Sequence, residues 1–156
     1  MTQAIASQSV AALEDHLGFW LRFVSNHVSA RFQKLLEQRG VTVTEWVALR
    51  TLMGRHETGH AELIQALGMT KGAASKVISR LEQKGLASRL WAEGRAREQV
   101  LVLTPAGKAL VPGLAELADA NDTHFFGHLR LAEQKALIQA MRGLVEYHQL
   151  KTVPTT

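Results

Sequence analysis

TKGAASKVISRLEQKGL, residues 70–86, is the stretch on which the fold turns. Within it Ala74, Val77, Ile78 and Leu81 recur at i, i+3, i+4 and i+7, so they form one stripe of an α-helix facing a core. At 3.6 residues per turn the opposite face holds Gly72, Lys76, Ser79 and Gln83, flanked by Ala73, Ser75 and Arg80. Small side chains, hydroxyls and cations, with only Glu82 near the side, make a face suited to close approach to a polyanion. Thr70 stands where an N-cap accepts a first-turn N–H, and Gly72 leaves that positive helix end bare for a phosphate or a base edge. A plainer reading of both residues is a cap and a permissive glycine.

Outward from this helix the neighbours agree with it. GHAELIQALGM, residues 59–69, precedes it as a short helix, and Gly85 sits where a left-handed C′ residue stops it. Leu86–Trp91 and Gln99–Leu103 then have the β-prone, alternating character of two strands. Residues 92–98 between them carry Gly94, Arg95 and Arg97, whose guanidinium groups enter a minor groove or clamp phosphates if the tip projects. The other reading of this tip is a solvated hairpin with its arginines paired to Glu93 and Glu98. The order helix, helix, two-stranded wing is that of a winged helix-turn-helix, in a chain that is mainly α with a small β wing.

Flanking helices complete the pattern. A long helix is expected from about Ser9 to Arg39, with Leu13, Leu17, Trp20, Val24 and Val28 along one side and Gly40 ending it. Thr44 looks like the cap of a second helix over Glu45–Arg55, and Thr104-Pro105 reads as a cap followed by N1 of a third. Leu110, Leu114, Leu117 and Phe125 mark that third helix. Leu137, Ile138, Met141, Leu144 and Val145 mark a last one starting near Leu131. Residues 1–39 and 106–150 are thus expected to form a helical dimerisation region around a DNA-binding lobe at 40–105, with 151–156 as a tail. Their apolar surface exceeds what one small domain covers, and a two-fold homodimer would set two reading helices about one turn of DNA (~34 Å) apart. Folding back onto their own lobe is the competing arrangement.

Composition narrows the function. The 156 residues carry a net charge of +4, which favours an anionic partner, and contain no cysteine, which removes disulfides, thiol chemistry and cysteine zinc sites. Neither a signal peptide nor an apolar run near ~18 residues is present, so a cytoplasmic protein is expected. No phosphate-cradling glycine loop, nucleophile-and-base motif or carboxylate cluster is found, so neither an enzyme nor a cofactor is expected.

The whole order, from the long first helix through TKGAASKVISRLEQKGL and an arginine-bearing wing closing on LVLTPAGKAL, resembles the MarR family of multiple-antibiotic-resistance-type regulators. The resemblance implies a homodimeric winged-helix transcription factor, usually a repressor, that leaves an inverted-repeat operator when a small aromatic or phenolic ligand binds. It implies DNA contacts from Lys71, Ser75, Lys76, Ser79 and Arg80. The family's wing has an acid, one residue and an arginine; that arginine falls on Arg97, but Arg95 holds the acid's place. The departure suggests two arginines sharing the wing contact, braced by Glu93. An effector pocket is implied where dimerising helices meet the reading lobe, with Trp20, Phe23, His27, Trp46 and Arg50 as candidates by position and plain packing as the alternative for each. Seven histidines include His124 and His128 at i and i+4, and zinc-sensing members of the family exist, but two ligands do not close a site, and no metal is expected. A MarR-like activator, a metal-responsive regulator and a winged helix that binds protein instead of DNA are the alternatives.

Overall fold

A computed structural model describes residues 9–55, 57–91 and 99–150. A single 3-10 turn, Leu13–Asp15, leads into α1 (Leu17–Glu37). The expected first helix is therefore interrupted at His16, whose extended backbone (φ −102°, ψ 129°) separates the two segments. Trp20 Nε1 donates to the Glu14 carbonyl at 2.9 Å and holds the turn against α1.

After Gly40, which takes a positive φ of 70°, comes α2 (Val43–Leu52). Its cap is Thr42, not Thr44: Thr42 Oγ1 accepts from Glu45 N at 3.2 Å, and Glu45 Oε2 accepts from Thr42 N at 3.1 Å. Two orphan donors are satisfied reciprocally, an arrangement Thr44 has no acid three residues on to match. The two-residue strand β1 (Thr58–Gly59) follows, and then α3 (His60–Leu67) and α4 (Lys71–Gln83). The wing strands are β2 (Ala87–Trp91) and β3 (Gln99–Leu103), and α5 (Pro105–Phe126) and α6 (Leu131–Tyr147) close the described chain.

The sheet is antiparallel in the order β1-β3-β2, with β3 central. Ala87 faces Leu103 and Trp91 faces Gln99 along the wing, while Thr58 pairs with Leu101 on the other edge. Around it lies one core: Leu49 and Leu52 of α2, Leu63 of α3, Ile78 and Leu81 of α4 and Leu101 of β3 are buried. Leu36 of α1 and Val111 and Leu114 of α5 belong to the same cluster, so the core runs continuously into the flanking helices. Each such side chain withdrawn from water stabilises the fold by about 1.5–3 kcal/mol before entropy is counted.

The rest of the flanking helices does not close on itself. No residue of α6 is buried. On α1, Leu17, Trp20, Leu21, Phe23 and Val24 are exposed, and on α6 so are Leu137, Ile138, Met141, Leu144 and Val145. No helix among the described residues is long and apolar enough to cross a membrane.

Candidate nucleic-acid interface

The reading face is built from the start of α4. Thr70 is its N-cap, and Thr70 Oγ1 accepts from Ala73 N at 3.2 Å, as expected from its position. Ala74, Val77, Ile78 and Leu81 are all buried, which fixes the rotation of the helix about its axis. Lys71, Gly72, Ala73, Lys76, Ser79, Arg80 and Gln83 are consequently exposed, with Ser75 half-buried at the margin. At the far end Gly85 takes φ 69°, a left-handed conformation that glycine adopts without a Cβ clash.

The acid of this helix is turned away from that face. Glu82 Oε1 lies 2.8 Å from Arg89 Nε on β2, an ion pair made by proximity rather than by an aligned hydrogen bond. Its effect is to neutralise the carboxylate against the wing and leave the exposed face cationic. Arg89 was not singled out from the sequence; it stands one strand from the reading helix, where only the fold brings it.

A second brace locks the other end of α4. Lys84 Nζ donates to Glu45 Oε2 and to the Gly40 carbonyl, each at 2.7 Å. Glu45 is 1% exposed and receives the Thr42 amide as well, so its charge is both paired and hydrogen-bonded. The C-cap of α4 is thereby tied to the turn between α1 and α2.

Of the sequence-predicted wing contacts, Arg95 and Arg97 lie outside the described residues, as do Glu93, Gly94 and Glu98. The effector candidates fall into two groups. Trp46 and Arg50 line one cleft of about 440 Å³ with Val47, Thr51, Met53 and Arg55. Trp46 also borders a smaller cavity of about 170 Å³ with Val28, Phe32 and Asn121, and its ring meets Phe32 edge-on at 6.4 Å. Trp20, Phe23 and His27 line neither; they form an aromatic row on the exposed side of α1, with Trp20–Phe23 at 6.4 Å and Phe23–His27 at 4.9 Å. His124 and His128 join no group of three metal-ligating side chains among the described residues.

Comparison with known proteins decides the class. A model of the MarR family matches residues 39–98, the span from just after α1 through the reading helix and β2 to just before β3. Over that span the chain is similar to the MarR family. A transcriptional regulator, HosA of Escherichia coli O157:H7, is 25% identical over 125 residues, covering 80% of this chain and 91% of its own. A probable transcriptional regulator from Pseudomonas aeruginosa superposes with a TM-score of 0.75 at 29% identity, covering 85% of this chain and 99% of its own. BpsR of Bordetella bronchiseptica, whose DNA binding is regulated by 6-hydroxynicotinic acid, has the same fold (TM-score 0.77, 24% identity, 87% of this chain and 97% of its own). This chain is thus a winged-helix protein similar to transcriptional regulators.

Proposed function

We propose that this protein is a member of the MarR family and acts in the cytoplasm as a homodimeric repressor, reading an inverted-repeat operator in double-stranded DNA and leaving it when a small aromatic ligand binds. One observation carries the reading: the side of α4 opposite its buried stripe is exposed, capped by Thr70 and free of uncompensated acid. Lys71, Gly72, Ala73, Ser75, Lys76, Ser79 and Arg80 form the groove-facing set, with Arg95 and Arg97 as wing contacts.

Residues 1–39 and 106–150 supply the dimerisation surface and 40–105 the reading lobe. Support comes from the apolar side chains of α1 and α6, which no part of the described chain covers. An exposed patch of that size on a small protein marks an interface. The ligand seat is assigned to the Trp46 and Arg50 cleft, where an indole and a guanidinium suit a planar anion. BpsR, a protein of this fold, responds to an aromatic acid. A ligand moves the dimer off DNA only through its difference in affinity between the two states.

The deciding experiment is enrichment of duplexes from a random-sequence pool by the full chain, followed by sedimentation of the free protein. A recurrent inverted repeat bound by two chains is the expected result. Failure to enrich any sequence, or a strictly monomeric protein, overturns the proposal.

A further inference from the structure

A cleft of about 520 Å³ opens beside the reading face, between the first turn of α3, the first residue of α4 and the wing strands. His60, Glu62, Lys71, Arg89, Trp91 and Gln99 line it. Lys71 begins α4 and belongs to the exposed reading face, so that face and the cleft are continuous.

The charges around His60 are unequal. Lys71 and Arg89 lie close enough to act on its ring, and Glu82 acts in the opposite sense. Glu62 is itself paired, with Arg55 at 3.7 Å, and Glu82 with Arg89 at 2.8 Å. Two cations, Lys71 and Arg89, thus act on the ring against one carboxylate, Glu82. The surplus positive charge stands before the imidazole is counted. His60 Nε2 is buried and has no hydrogen-bond partner among the described residues. Desolvation first, then Arg89 and Lys71, hold the ring below the ordinary histidine value, so the free protein keeps it neutral.

We propose that this cleft seats a phosphate of the DNA backbone and that His60 takes up a proton when the phosphate arrives. The inference rests on the DNA-reading function assigned to α4. A duplex lying on α4 carries its backbone past Lys71. Lys71 and Arg89 then donate to the phosphate oxygens, as the Gln99 amide is also equipped to do. The phosphate's negative charge cancels the local surplus that kept the imidazole neutral. Proton uptake and DNA binding therefore favour each other, and operator affinity rises as pH falls from the histidine value of the complex to that of the free protein. Outside that window His60 contributes no pH dependence.

The test uses the full chain and a duplex that it enriches from a random-sequence pool. Affinity is followed from about pH 8 to about pH 5.5, the range in which histidines titrate, for wild type, H60Q and K71Q. Wild type is expected to tighten on acidification, with a slope approaching tenfold per pH unit for each protomer's proton, and H60Q to lose that share of the slope. K71Q is expected to lower the salt dependence of binding by about one unit of slope per protomer. His60 ring resonances followed by NMR, free and bound, give a second readout that needs no variant: the ring should titrate at higher pH in the complex. An H60Q profile that overlays wild type, an unchanged salt slope in K71Q, or equal ring titration in both states overturns the phosphate seat while leaving DNA reading intact. Failure to enrich any duplex removes DNA reading itself, and this inference with it.

Discussion

Lys84 illustrates how much one side chain can decide. It satisfies a carboxylate that is 1% exposed and a turn carbonyl at once. Lys84→Ala leaves Glu45 buried without its cation, and thermal or urea unfolding is expected to register a loss of about 2 kcal/mol, tempered by the lysine's own partial exposure. Gly107 is constrained differently: a Cβ built there would sit 2.1 Å from the Leu86 carbonyl oxygen, where the first turn of α5 packs on the turn between α4 and β2. Gly107→Ala must push backbone apart and is expected to cost about 1–3 kcal/mol in the same assay. His60 adds a pH term. With its folded value held below the ordinary 6.5, the unfolded chain binds the proton first. The stabilisation from keeping His60 neutral is complete above 6.5 and falls away as pH drops toward the folded value. In the absence of DNA, the unfolding free energy of wild type relative to His60→Gln should therefore decline on acidification and stay level above neutrality. At this scale the cap of α2 was readable but misread. Thr42-Val43-Thr44-Glu45 is a Thr-x-x-Glu capping box, and only Thr42 has the acid at the right distance.

Among the elements, α4 was the most legible, because four buried apolar residues over eight positions fix both its helical state and its rotation. Its exposed face followed by subtraction. Lys76→Ala is expected to weaken operator binding several-fold, by about 1 kcal/mol or more, with the dimer unchanged in sedimentation; unaltered affinity there and in Arg97→Ala would remove α4 and the wing as the reading surface. Thr70→Ala should cost about 1 kcal/mol of stability through the lost cap. β1 was not legible: two residues, Thr58 and Gly59, are too few for any alternation, and they become a strand only because β3 offers a free edge. The interruption before α1 was equally hidden, since nothing in the local pattern around His16 distinguishes a 3-10 turn from a continuing helix. Arg89 and His60 escaped notice for another reason: their significance is pairwise, and their partners lie on other elements.

For the molecule as a whole, the apolar spacing in α1 and α6 signalled surface in excess of one domain's needs, and those side chains are exposed in the single chain. Leu137→Asp combined with Met141→Glu is expected to yield monomers in sedimentation and to reduce operator affinity by about tenfold or more, because one lobe then binds without the tethered second. The division of effector candidates into the Trp46 and Arg50 cleft and the Trp20, Phe23, His27 row could not be read from helix position alone, because it depends on which side of α1 meets α2. The Lys84 brace bears on this larger scale too. Since the same ammonium group grips both the Gly40 carbonyl and Glu45, the end of the reading helix is anchored to the elbow that joins the first two helices. A tilt of α1 is therefore expected to carry the reading helix with it, so that in a dimer the gauge between two reading heads follows whatever holds the elbows.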